Sequence, residues 1–109
     1  MTFEREIYFI LKNANKPMTT TKIVEAITVQ YCGDEKTNYE NYISKMESWA
    51  AELKQQNTSI KQRVIDALKI IVIHQYAKTW TTNEELSSIH CGGRKTYHNY
   101  TFRHWQAIK

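Results

Sequence analysis

The sequence predicts a mainly α-helical fold, and three observations carry that expectation. Its 109 residues include only three Gly and one Pro, few breakers for a fold built of many short strands and turns. Apolar residues recur at three- and four-residue spacing through several long stretches, the period of a helix with one buried face. Hydroxyl and amide side chains that can accept from the free amides of a first helical turn stand where several of those stretches begin.

Phe3, Ile7, Ile10 and Leu11 share one face of a helix over residues 3–13, with Tyr8 beside them. Lys16-Pro17 ends it, because the residue before a proline is pushed out of the helical region. Thr19 to Thr21 offer caps for a second helix, KIVEAITVQ, with Ile23, Val24 and Ile27 inward. Cys32-Gly33-Asp34 reads as a loop. A third helix is expected from about Asn38 to Gln56, with Tyr42, Ile43, Met46, Trp49, Ala50 and Leu53 at helical spacing. Asn57-Thr58-Ser59 caps a fourth, SIKQRVIDALKIIVIHQYAKTW, along which Ile60, Val64, Leu68, Ile71 and Val72 form a broad stripe. The β-branched run KIIVI would suit a strand in isolation, but the spacing upstream of it favours helix. Thr82 and Glu85 make a capping-box pattern, in which hydroxyl and carboxylate each satisfy an orphan amide. A short helix NEELSSIH is therefore expected there, with Leu86 and Ile89 inward.

The totals bound the function class. With 41% apolar and 24% charged residues the chain belongs with globular domains rather than disordered segments, and its length suits one domain, 1–109, with 1–56 and 57–109 as candidate sub-halves. No apolar run approaches the ~20 residues that cross a bilayer, so no membrane is expected. MTFEREIYF lacks the features of a signal peptide. Two cysteines then read as reduced thiols of a cytoplasmic protein. Net charge is +4, and its distribution is uneven. No Asp or Glu follows Glu85, so residues 86–109, with Arg94, Lys95, Arg103 and Lys109, hold the whole excess. A basic end of this kind is the electrostatic footprint of a nucleic-acid binder, or else a solvated tail. Residues 34–53 are locally acidic and aromatic; Tyr39, Tyr42 and Trp49 there are candidates for a protein interface.

An internal echo suggests two related halves. KPMTTTKIVEAI (16–27) and KTWTTNEELSSI (78–89) align without a gap at an offset of 62, and a Cys-Gly follows each, Cys32-Gly33 and Cys91-Gly92. An apolar helix, a short connector, a Thr cap, a second helix and a Gly-containing turn is the order of a helix-turn-helix. KPMTTTKIVEAI also resembles the opening of winged helix-turn-helix domains, especially the HARE-type family, over about a dozen residues. That resemblance implies a small three-helix module, with a β-hairpin wing, of the kind found in DNA-associated proteins. The segment KTNYENYISKMESWAAEL departs from the pattern, being net acidic where the third helix of that family would fall.

The stretch SSIHCGGRKTYHNYTFRHW can be read three ways. As a helix, Tyr97, Tyr100, Thr101, His104, Trp105 and Ile108 form one stripe, and Arg94, Lys95, His98, Asn99 and Arg103 lie opposite. Such a helix would dock its aromatic face and offer phosphate- and base-reading groups on the other. As a hairpin turned on Gly92-Gly93, Cys91 would face Arg94 and Ser87 would face His98, but neither face would be cleanly apolar. As a metal site, Cys91, His98 and His104 with His90 lack the paired spacing zinc favours. His74, alone on an apolar helix, reads as a core or boundary histidine. The helix is preferred and the hairpin kept as the alternative; either would present a basic surface.

The resulting expectation is a mainly α helix-turn-helix or winged-helix-like protein that binds nucleic acid, most readily DNA. Arg94, Lys95, Thr96, His98, Asn99 and Arg103 would make the contact. It would serve as a transcriptional regulator or as an accessory of phage or mobile-element type. A homodimer fits the same reading, and a winged-helix-like protein-interaction module is the alternative. No GxSxG, HExxH or glycine phosphate loop is present, and neither catalysis, cofactor nor metal is expected.

Overall fold

The computed structural model describes residues 2–36, 38–89, 93 and 95–108, without the side chains of 86–89, 95, 96 and 98. Its order is α1 (Phe3–Ala14), β1 (Met18–Thr19), α2 (Thr20–Cys32), α3 (Tyr39–Gln55), α4 (Ile60–Ile73), β2 (Ala77–Ile89) and β3 (Lys95–Ala107). Each helix begins on a side-chain cap. Thr2, Thr19, Asn38 and Ser59 accept from the amides of Arg5, Lys22, Asn41 and Gln62 respectively, satisfying donors that a first turn leaves open. The exits are local too. Asn15 closes α1 at φ 51°, and Gly33 closes α2 at φ 87°, a backbone that a Cβ would strain.

Ile7 and Leu11 of α1, Ile23 and Ile27 of α2, and Val64, Ala67, Leu68 and Ile71 of α4 build one core, completed by Ala77 and Trp105 from the sheet. The core thus draws on both candidate sub-halves. Helix α3 contributes one buried residue, Leu53; its Trp49 is half-buried against the core and stacks on Tyr31 at 5.0 Å and 9°. Arg63 ties α4 to α1, with its guanidinium 4.3 Å from the Phe3 ring centre and 3.3 Å from the Glu4 carboxylate. Cys32 is buried, and burial pushes its thiol pKa up, so it packs as a small apolar residue rather than as a thiolate.

The sheet is antiparallel in the order β1-β3-β2. The short β1 pairs Met18 with Trp105 and Thr19 with His104, while β2 and β3 pair along their full length from Ala77–Ala107 to Ile89–Lys95. Thirteen residues per strand at about 3.3 Å each make a ribbon roughly 43 Å long. Among its described side chains, only Ala77 and Trp105 at the base are buried. The radius of gyration is accordingly 16.6 Å, above the ~13 Å of a compact chain this long.

Four expectations change here. The fourth helix stops at Ile73: Gln75 takes φ 64°, and Ala77 to Trp80 are strand. The capping-box helix at 83–90 does not form, since its residues through Ile89 belong to β2. The Thr82 hydroxyl bonds the His104 Nε2 at 2.7 Å instead. The preferred helix over 94–107 is a strand from Lys95 to Ala107, because β-branched and aromatic residues pay less conformational cost when they pair across strands than in an isolated helix. The 62-residue echo has no structural counterpart: 16–27 opens α2, while 78–89 is β2.

The hairpin alternative is the one realised, one residue out of register. Ser87 faces Tyr97, not His98, and the described ladder runs to Ile89–Lys95. Cys91-Gly92 falls outside the described residues. Clean separation of apolar and polar faces is required only where one face is buried; the outer ribbon has no core beneath it.

Candidate nucleic-acid interface

Helix α4 buries Val64, Ala67, Leu68 and Ile71. Lys61, Ile65 and Lys69, four residues apart, therefore stand on a second face that looks across at the hairpin. Alternation along the strands puts Thr79, Thr101, Arg103 and Trp105 on the opposing wall, and Thr19, Thr20 and Thr21 at the start of α2 close one end. These elements enclose an open groove of about 720 Å³, completed by Val72, Ile73 and Phe102. Lys61, Lys69 and Arg103 supply three positive charges, and no acid is among the lining residues. The amino end of α2 adds the positive pole of its dipole to the same space.

Trp105 sets the geometry. Its side chain is 3% exposed, and its indole N–H donates to the Thr20 hydroxyl at 2.9 Å, which fixes β3 against the start of α2. Arg103 lies with its guanidinium 5.9 Å from the Trp105 ring centre and donates to the Thr79 hydroxyl at 3.2 Å. Thr79 in turn donates to the His104 carbonyl at 2.9 Å. The cation is held at the groove wall yet stays exposed, which is what a phosphate contact requires.

The predicted contact residues fare differently. Arg103 is in the groove. Asn99 is exposed on the same face of β3, at the register position opposite Glu85. Arg94 lies outside the described residues, and so do the side chains of Lys95, Thr96 and His98. Lys95, Thr96 and His98 do not stand on a docked helix; positions 95–107 are strand. Lys61, Lys69 and the Thr19–Thr21 end of α2 were missed, although the i, i+4, i+8 series Lys61, Ile65, Lys69 beside the buried stripe of α4 is readable in the sequence. Of the interface candidates, Tyr39 is 65% exposed. Tyr42 is half-buried and its phenol pKa is raised, first by burial and then by Glu35. Trp49 is engaged with Tyr31 and the core, a packing role.

Among the described residues no group of three or more His, Cys, Asp and Glu could hold a metal ion, and no helix is long and apolar enough to cross a membrane. Comparison with protein-family models, with curated proteins and with solved structures finds no match to this chain.

Proposed function

We propose that the protein is a winged helix-turn-helix nucleic-acid binder that grips duplex DNA between α4 and the β2–β3 hairpin. In this reading α1, α2 and α4 are the three-helix module, α4 takes the place of the recognition helix, β2–β3 is the wing and α3 is an insertion. The observation that carries it is the acid-free groove in which Lys61, Lys69 and Arg103 converge from two elements beside the amino end of α2. Phosphates are held by cations and by helix amino termini, and this groove offers both on one side of the molecule. The order α1-β1-α2-α3-α4-β2-β3 with β3 in the centre of the sheet, read with α3 as the insertion, supports the topology that the opening KPMTTTKIVEAI suggested. Regulation of transcription, or an accessory role in phage or mobile-element replication, is the cellular use such a binder would have.

Fluorescence anisotropy with a labelled duplex of mixed sequence tests the reading. The Lys61→Ala/Lys69→Ala/Arg103→Ala variant is expected to lose binding, and Lys12→Ala/Lys36→Ala/Lys54→Ala, which removes as many exposed charges elsewhere, is expected to keep it. Equal losses in the two variants would mean unspecific attraction to net charge, and no binding at low salt would end the proposal.

A further inference from the structure

The face of the hairpin turned away from the groove carries a different chemistry. Burial at the hairpin base alternates: Ala77 and Trp105 are buried, whereas none of Lys78, Trp80, Thr82, Glu84, Tyr100, Phe102, His104 and Gln106 is. Among the described residues, then, none on the even-numbered face is buried beneath a helix. The register sets Trp80 opposite His104, Thr82 opposite Phe102 and Glu84 opposite Tyr100, which lines up four rings along the ribbon. Trp80 and His104 stack at 5.7 Å and 19°. Tyr100 and Phe102 follow along β3 with centroids 6.4 Å apart and planes tilted by 34°. Phe102 lies at the margin, since it also borders the groove.

We infer that this face binds single-stranded nucleic acid, with bases stacked on Tyr100, Phe102 and the Trp80–His104 pair. Rings 6.4 Å apart stand about twice the ~3.4 Å spacing of stacked bases, so each can take its own base. A sheet surface with successive aromatic rings is a known way to hold unpaired bases, whose flat faces are all alike to it. Charge completes the match. Strand β3, KTYHNYTFRHWQA, contains no acid along its whole length, and Lys78 holds its ammonium 5.6 Å from the Trp80 ring centre. The one described acid on the face, Glu84, is on β2, so the phosphates run along the β3 side. A peptide partner would find rings there too, but the acid-free strand beside them leaves nothing on the β3 side to repel phosphates, and Lys78 at the hairpin base offers them a cation. The inference does not depend on the groove: it concerns the opposite face of the hairpin and an unpaired strand.

The test is anisotropy titration of the full chain with labelled 15-mers of deoxyuridine and of uridine, whichever binds more tightly naming the natural sugar. Tyr100→Ala/Phe102→Ala is expected to weaken binding by tens-fold, as loss of stacked rings does, while Tyr100→Phe/Phe102→Tyr keeps it within a few-fold. Saturation is expected to quench tryptophan emission in wild type and to leave it unquenched in Trp80→Phe. Affinity unchanged by the alanine pair, affinity equally reduced by the aromatic exchange, or no binding of either oligomer would overturn the inference. Lys61→Ala/Lys69→Ala separates the two readings: it should abolish duplex binding and leave the oligomers bound. If the duplex fails to bind and the oligomers do not, the groove proposal falls alone.

Discussion

The Trp105–Thr20 hydrogen bond is the contact on which the groove depends, and its contribution can be worked out. In Trp105→Phe the ring that supports Arg103 remains, but the donor is gone and the side chain is smaller. On the 150–250 Å² that aromatic side chains bury, an indole covers roughly 50 Å² more than a phenyl, or about 1.3 kcal/mol at ~25 cal/mol per Å². A net hydrogen bond adds about 1 kcal/mol. The expected loss is therefore ~2–3 kcal/mol, or about 10 °C in Tm for a domain of this size. Thr20→Val keeps the shape of the acceptor and removes its oxygen, which leaves the buried indole N–H without its partner and costs about 1–3 kcal/mol. Urea unfolding of wild type, both single variants and the double variant closes a cycle. Once Trp105 is Phe, the Thr20 hydroxyl has nothing to accept from it, so the two losses should overlap by about 1 kcal/mol. Losses that add to within ~0.3–0.5 kcal/mol would refute the reasoning: the bond would then not hold β3 to α2, and the groove would owe its shape to packing alone.

Three further outcomes follow from the same structure. Each phosphate contact contributes about 0.9 to the slope of log K against log salt, so each single alanine variant of Lys61, Lys69 and Arg103, which keeps measurable affinity, should flatten it by about that amount; slopes that stay as steep would place the contacts elsewhere. Tyr31 has its pKa pushed up to about 12, first by burial and then by its bond to the Glu6 carboxylate, so the folded chain keeps this proton where the unfolded chain, near the ordinary 10.0, loses it. That contribution is complete below pH 10 and lost as pH rises toward 12, and urea midpoints at pH 8, 10 and 11 should fall less steeply in Tyr31→Phe than in wild type. Ser59 accepts from the Gln62 amide at 3.1 Å at the start of α4, and Ser59→Ala should cost about 1 kcal/mol in the same assay.

Much of this was legible in the sequence, and the places where it was not share a cause. Ile7 and Leu11, Ile23 and Ile27, Val64 and Leu68 repeat at helical spacing beside their own caps, and all are buried on helices as expected. The information there is local, since a helix closes its hydrogen bonds within itself and shows its buried face as a period. Residues 77–107 carry their pairing information in a partner segment up to thirty positions away. Thr82 and Glu85 spell a helix cap, and Tyr97, Tyr100, Thr101 and His104 spell a helical stripe, because a short string cannot reveal that Thr82 will meet His104 or that Asn83 will meet Thr101. The charge asymmetry of residues 86–109 was visible and placed Arg103 among the contacts, but Lys61 and Lys69 looked like an ordinary solvated helix edge.

By itself, then, the sequence determined four helices, the caps of α2 and α4, the apolar positions that join α1, α2 and α4, and an acid-free final segment. Tertiary structure alone decided that this segment is a strand, that its partner is β2 in a register one residue from the turn-based expectation, and that α4 and the hairpin face each other across a cationic groove. The physical reason is range. Caps and helical periods act over three or four residues, whereas strand pairing and the meeting of Lys61 and Lys69 with Arg103 come from backbone bonds and packing between segments distant in the chain, which exist only once the core of Leu68 and Trp105 has formed.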